Sequence, residues 1–248
     1  MIVGNHVVAL PAVAGRGPAG RVAPESEGEF MSTHRFTRRT FLAGTTLAGL
    51  ATVAPRGILA APPAWAAAAA RVGDAAPGFT VAATTGQSVS LADQRGKLVI
   101  LEWTNHDCPY VRKHYETGNM QALQKETTAQ GVIWLTLISS SPGTQGYVTP
   151  KQADELTATR KASPTSVLLD PTGIVGKAYG ATNTPHMYLI DNNGLLVYAG
   201  AIDDRPTTRR ADVQGARNYV RAALEDVAAG RAVQTPVTRA YGCTVMYA

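Results

Sequence analysis

Apolar positions fall in two unlike arrangements along this chain of 248 residues. Beyond residue 66, short apolar runs alternate with helical patterns. Residues 97–103 and 132–138 are too continuously apolar to alternate, as expected of strands buried on both faces. Between them Pro109 opens a segment in which Val111, Tyr115, Met120 and Leu123 recur at helical spacing. It runs toward Gly131, with a kink or break expected at Gly118-Asn119. A polar helix is predicted over 150–161, a short strand over 167–169 closed by the turn Asp170-Pro171-Thr172-Gly173, and a brief helix over 174–179. Residues 79–82 and 88–91 read as an entry β-hairpin, and 187–190 with 195–198 as a second around Asp191-Asn192-Asn193-Gly194. Val213, Tyr219, Val220, Ala223, Leu224 and Val227 predict an amphipathic helix over 209–229. The order is β-hairpin, βαβ, αβ, α, β-hairpin, α, an α/β domain combining right-handed parallel crossovers with an antiparallel tail.

The first 66 residues read differently. Residues 31–66 carry a basic start with Arg38-Arg39-Thr40-Phe41-Leu42, a weakly apolar Gly/Ala-rich core to Val53, and a small-x-small cleavage site at Ala64-Trp65-Ala66. That is the pattern of a twin-arginine export signal, and it predicts a periplasmic or otherwise exported protein. Residues 1–30 precede a second methionine and a complete signal, and read as a disordered upstream extension. The apolar stretch 41–53 falls short of the ~20 residues a span requires, so no stable membrane span is expected after cleavage. The domain itself is residues 67–248, enough for one core, with no internal repeat.

This division changes the meaning of the charge. Arg16, Arg21, Arg35, Arg38, Arg39 and Arg56 against Glu25, Glu27 and Glu29 put +3 of the total +5 in the first 66 residues, leaving +2 for the domain. The basic balance is largely a targeting signature, and nucleic-acid binding gains no support from it.

Candidate chemistry centres on the two cysteines. Cys108 follows a buried strand and opens Cys108-Pro109-Tyr110-Val111 at the start of a helix. A thiol there meets unpaired N–H groups and the positive end of the helix macrodipole, which favour the thiolate that attacks disulfides. Asp107 opposes this and His106, Arg112, Lys113 and His114 are placed to act the other way, so the sequence leaves the net direction open. Val111 stands where a C-x-x-C motif carries its second cysteine, so redox chemistry uses Cys108 alone, with Cys243, or with a thiol on another molecule. Cys243 lies in the apolar tail Tyr241-Gly242-Cys243-Thr244-Val245-Met246-Tyr247. Folded back, it is a resolving thiol or a static clasp, and otherwise a separate thiol. His106, Cys108 and His114 offer three ligand types for Zn or Cu without paired spacing, so solvated or hydrogen-bonded histidines are the plainer reading and no metal or cofactor is assigned.

The stretch from Glu102-Trp103-Thr104-Asn105-His106-Asp107-Cys108 to Tyr115, the Thr184-Pro185 loop and the Gly-Cys-x-Val-x-Tyr ending resemble the peroxiredoxin-like 1 group of the thioredoxin superfamily, from about Val72 to the C-terminus. The resemblance implies a thioredoxin-like fold: a central mixed β-sheet flanked by helices, with an N-terminal β-hairpin and a C-terminal tail. It implies that Cys108 matches the first cysteine of the thioredoxin motif, and that Thr184-Pro185 is a cis-proline loop facing it and offering backbone to an extended substrate. The P-x-x-x-[ST]-x-x-C arrangement of true peroxiredoxins would need Pro at 101 and Ser or Thr at 105, where this chain has Leu101 and Asn105.

The expectation is an exported thiol–disulfide oxidoreductase, a peroxiredoxin-like antioxidant protein, with Cys108 as redox-active thiol and Cys243 or an external thiol resolving the product. Its partners would be a protein or small-molecule disulfide and an external electron donor. Two other readings stay open: a metal or cofactor carrier built on His106, Cys108 and His114, and a non-catalytic domain stabilised by a Cys108–Cys243 disulfide.

Overall fold

A computed structural model describes residues 69–248. The predicted extension, export signal and cleavage site lie outside the described residues. A short hairpin, β1 (Thr80–Ala82) and β2 (Ser88–Ser90), precedes the first central strand, β3 (Val99–Trp103). The chain then forms α1 (Pro109–Glu116), α2 (Asn119–Ala129), β4 (Ile133–Ile138), α3 (Pro150–Thr159), β5 (Ser166–Leu169) and α4 (Ile174–Tyr179). After two residues in β6 (Asn183–Thr184) come β7 (His186–Ile190), β8 (Leu196–Gly200), α5 (Tyr219–Ala228) and the short terminal β9 (Cys243–Thr244).

The central sheet has the order β5-β4-β3-β7-β8. β3, β4 and β5 are parallel, and β7 and β8 are antiparallel additions on the other side of β3. This is the thioredoxin-like α/β architecture. All five residues of β3 are buried, and their side chains alternate between two cores. Val99, Leu101 and Trp103 join Leu135, Leu137, Tyr188 and Val245 on one face. Ile100 joins Trp134, Met187 and Leu189 with Cys108, Val111, Met120, Leu123, Val220 and Ala223 on the other. A sheet covered on both faces explains why its strands read as unbroken apolar runs.

The expected break in the first crossover falls at Gly118, whose φ of 75° ends α1 and begins α2. The expected C-terminal helix is shorter than its pattern. Only Tyr219–Ala228 is helical, preceded by a single 3-10 turn at Arg210–Val213. The Asn218 carboxamide caps the helix by accepting from the Arg221 N–H at 2.9 Å. Upstream, the Arg217 N–H is held by Asp204 at 3.0 Å, and Asp203 bridges Asn218. Val213 therefore continues the helical spacing without belonging to the helix.

Candidate active site

β3 ends beneath the loop that delivers Cys108. Asn105 shapes that loop: its side-chain oxygen accepts from the Asp107 N–H at 2.9 Å and its carbonyl from the Cys108 N–H at 3.1 Å. Cys108 is the N-cap of α1, its carbonyl accepts from the Arg112 N–H at 2.9 Å, and Pro109 occupies the first turn, where its missing N–H costs nothing.

The Cys108 thiol is fully buried and enclosed by backbone. Its Sγ donates to the Thr184 carbonyl at 3.1 Å and accepts from the Cys243 N–H at 3.4 Å. The Thr184-Pro185 peptide is cis. β6 and β9 pair antiparallel, with Thr184 directly opposite Cys243. Cross-links tie the two strands: Asn183 Nδ2 donates to the Gly242 carbonyl at 3.0 Å and Thr184 Oγ1 to the Cys243 carbonyl at 3.4 Å. The structure thus brings together Cys108, Cys243, Thr184 and Pro185, the four residues singled out in the sequence.

Both thiols are free. Burial first, and then the hydrogen bond to Cys108 and the charge that Cys108 carries as a thiolate, push the Cys243 thiol up to about 12. Cys243 therefore keeps its proton at neutral pH while Cys108 is reduced.

The basic residues after Cys108 do not surround its sulfur. Lys113 is buried, donates to the Arg205 carbonyl at 2.7 Å and to the Tyr241 hydroxyl at 3.4 Å, and lies 3.8 Å from Asp203. Burial lowers its ammonium pKa, and the Asp203 charge partly restores it. His114 has both ring nitrogens engaged, Nε2 with the Tyr241 hydroxyl at 3.2 Å and Nδ1 with Asn119 at 2.9 Å. Burial, then the neighbouring Lys113 charge, lowers it to about 3. The Tyr241 hydroxyl also donates to Asp203. This knot of Lys113, His114, Asp203 and Tyr241 clamps the start of the tail. His106 faces Asp107 at 3.3 Å instead of converging with His114, and among the described residues no three His, Cys, Asp or Glu side chains gather as a metal site would need.

One group went unmarked in the sequence. Glu102 is fully buried in β3 and accepts from the Tyr115 hydroxyl at 2.8 Å, the Trp134 indole at 2.9 Å, Gln124 at 3.1 Å and Thr136 at 3.2 Å. Burial raises its pKa against the lowering effect of those donors. The available signal was a lone acid inside the apolar run Val99-Ile100-Leu101-Glu102-Trp103.

The profile of the AhpC/TSA family matches residues 72–199. No curated protein matches the chain. Among solved structures, an uncharacterized conserved protein from Geobacillus kaustophilus is 24% identical over 72% of this chain and 93% of its own, with a TM-score of 0.63. A hypothetical protein from Sinorhizobium meliloti 1021 is 24% identical over 72% of this chain and 95% of its own, with a TM-score of 0.61. These two likenesses speak to the fold.

Proposed function

Because this chain belongs to the AhpC/TSA family, we propose that it is a thiol–disulfide oxidoreductase with Cys108 as its redox-active thiol and Cys243 as the resolving one. The observation that carries the reading is the position of the Cys108 sulfur, at the start of α1, 3.1 Å from the carbonyl that precedes Pro185 and 3.4 Å from the Cys243 amide.

In the first step the Cys108 thiolate attacks one sulfur of a protein or small-molecule disulfide R–S–S–R′. A Cys108–S–R bond forms, the S–S bond breaks, and R′–S⁻ leaves. In the second step Cys243 loses its proton to the released thiolate or to water and attacks the Cys108 sulfur, expelling R–S⁻. The substrate disulfide is reduced to two thiols, and the protein is oxidised by two electrons to a Cys108–Cys243 disulfide. An external dithiol of the donor class reverses that oxidation by the same chemistry.

The Cys243 proton is held more weakly after the first step than before it. Two of its three causes, the hydrogen bond to Cys108 and the Cys108 charge, vanish once Cys108 is in a mixed disulfide, while burial, the largest, remains. Resolution follows attack because Cys243 has a sulfur to attack only once Cys108 is in the mixed disulfide.

Peroxide reduction is the slower activity on this reading, because Leu101 and Asn105 stand where a peroxidatic site has Pro and Ser or Thr. The Arg38-Arg39-Thr40-Phe41-Leu42 context supports export of the precursor, which would put the reaction outside the cytoplasm. Replacing both arginines by lysine should retain the precursor in the cytoplasm, and undiminished export would remove that assignment.

The test of chemistry is exchange with a model protein disulfide. Cys108→Ser should abolish turnover, and Cys243→Ser should accumulate a mixed disulfide with the substrate. Full turnover of Cys243→Ser with nothing trapped would remove Cys243 as resolving thiol. Full turnover of Cys108→Ser would remove the enzymatic reading altogether.

A further inference from the structure

The tail at residues 241–247 does more than carry Cys243. It lies as an added strand against the backbone of Asn183 and Thr184, with Cys243 opposite Thr184 and its amide on the Cys108 sulfur. With the tail so placed, Cys108 has no exposed surface. A protein disulfide of ordinary size cannot reach a sulfur in that state.

Resting on the reading of Cys108 as the redox thiol, we propose that the tail is a built-in occupant of the substrate groove, and that the substrate is an extended peptide strand that takes its place. The tail then serves as a template for what the groove accepts. Strand addition supplies affinity through backbone pairing and specificity through alternate side-chain positions.

The first position is set by a close approach. Gly242 has φ 129°, and a Cβ on it would lie 1.9 Å from the Thr184 carbonyl oxygen, so the residue before the cysteine must be glycine. The second is the cysteine itself, opposite Thr184. The position two residues beyond it is filled by buried Val245, whose N–H bonds the Thr182 carbonyl at 3.0 Å. The partner strand is therefore of the type Gly-Cys-x-Val, with a compact apolar residue at its fourth position. A groove of about 500 Å3, lined by Asn183, Asp203, Asp204, Arg239, Tyr241 and Gly242, adjoins the tail on the side of Gly242 and receives the residues that precede the partner's cysteine.

Displacement breaks no pairing within the central sheet. The tail is held by separate contacts at each end: Tyr241 in the knot with Asp203, Lys113 and His114, and Tyr247 against Gly173 and Gly176 with its hydroxyl on the Ala181 carbonyl. β9 joins no strand of the central sheet and pairs only with β6. Lifting it breaks no ladder of that sheet, but it withdraws Val245 from the core beside it and frees the Ser141 N–H from the Met246 carbonyl.

The test reads access to Cys108, which separates it from turnover. Two single-thiol proteins are compared: the full chain with Cys243→Ser, and a chain ending at Ala240. The second-order rate of Cys108 alkylation by iodoacetamide should be at least tenfold faster in the shortened chain, with folding of both checked by circular dichroism. A synthetic peptide of residues 241–248 with serine for the cysteine should slow alkylation of the shortened chain again, and the same peptide with valine for the glycine should not. Equal rates in the two folded chains, or equal protection by both peptides, would overturn the inference.

If the shortened chain does not fold, Gly242→Val in the Cys243→Ser chain decides. It should show the same acceleration, and an unchanged rate would overturn the inference. Protection without any disulfide exchange by the native protein leaves the tail's role intact and removes the proposed enzymatic function. Exchange without protection does the reverse.

Discussion

Glu102 is the sharpest place to test how this fold is held under the Cys108 loop. Two substitutions separate its shape from its charge. Glu102→Leu keeps volume and removes every acceptor, leaving the Trp134 N–H and the Thr136 hydroxyl facing an apolar side chain. Gln124 and Tyr115 fare better, because Gln124 also donates to the Tyr115 hydroxyl at 3.2 Å. Two stranded buried donors at ~1–3 kcal/mol each give a loss of about 2–6 kcal/mol. For a domain of this size that is a fall in Tm of roughly 5–20 °C. Glu102→Gln keeps one carbonyl oxygen for Trp134, Gln124 and Thr136 and turns only the edge facing Tyr115 into a donor, which the Tyr115 hydroxyl can accept by rotating. Its loss should stay near ~1 kcal/mol.

The charge enters through pH. A carboxyl whose folded pKa is raised holds its proton more tightly folded than unfolded, so its contribution is fully present below the unfolded value near 4.5 and is lost as pH rises through the folded one. Urea unfolding between pH 4 and 8 should show native stability falling relative to Glu102→Gln by up to ~1.4 kcal/mol per pH unit above 4.5. Parallel pH profiles for the two proteins, or a Glu102→Leu variant as stable as the parent, would refute the account.

Acid should destabilise the protein through two buried histidines, His114 lowered to about 3 and His186 lowered to about 4 by burial, both from 6.5. Unfolded chains take up protons there that the folded chain refuses, so stability present above pH 6.5 is lost as pH falls through that window, by roughly 5 and 3 kcal/mol at full extent. His114→Gln should flatten the fall between pH 6.5 and 4 in urea titrations, and an unchanged slope would count against it. Asn218→Ala should cost ~1 kcal/mol through the lost cap on α5, read as a lower urea midpoint with unchanged slope m. Tyr241→Phe should leave the core intact and raise the iodoacetamide reactivity of Cys108 in the Cys243→Ser chain, because the tail loses its bonds to Asp203, Lys113 and His114 together.

The strands and helices of the sheet were legible because they are set by burial, and burial leaves a period in the sequence. Val99 to Trp103 read as a two-sided strand, and Gly118 as a break, from local pattern alone. The length of α5 was not legible. Val213 keeps helical spacing, whereas the decision to begin at Tyr219 belongs to the Asn218 side chain and to Asp203 and Asp204, which arrive from another part of the chain. The knot behind the tail was hidden for a related reason. Lys113 and His114 look like cations flanking a cysteine, but the helical turn carries them to Asp203 and Tyr241, partners ~90–130 residues away that no local pattern announces.

The same distance governs the proposed chemistry. In this chain the position three residues after Cys108 is Val111, fully buried in the core on the α1 side of the sheet. Val111 offers no sulfur, so a second thiol from this chain has to come from elsewhere in it. Cys243 lies 135 residues away, and β6–β9 pairing with the contacts of Tyr241, Val245 and Tyr247 brings it to the sulfur. Its effective concentration at Cys108 is then a property of how well the tail is seated. A loosely held tail admits substrate readily and resolves slowly, while a tightly held one resolves quickly and admits little. On that reading the anchors at Tyr241 and Tyr247, on either side of the two-residue strand, are where substitutions would shift the balance between admission and resolution.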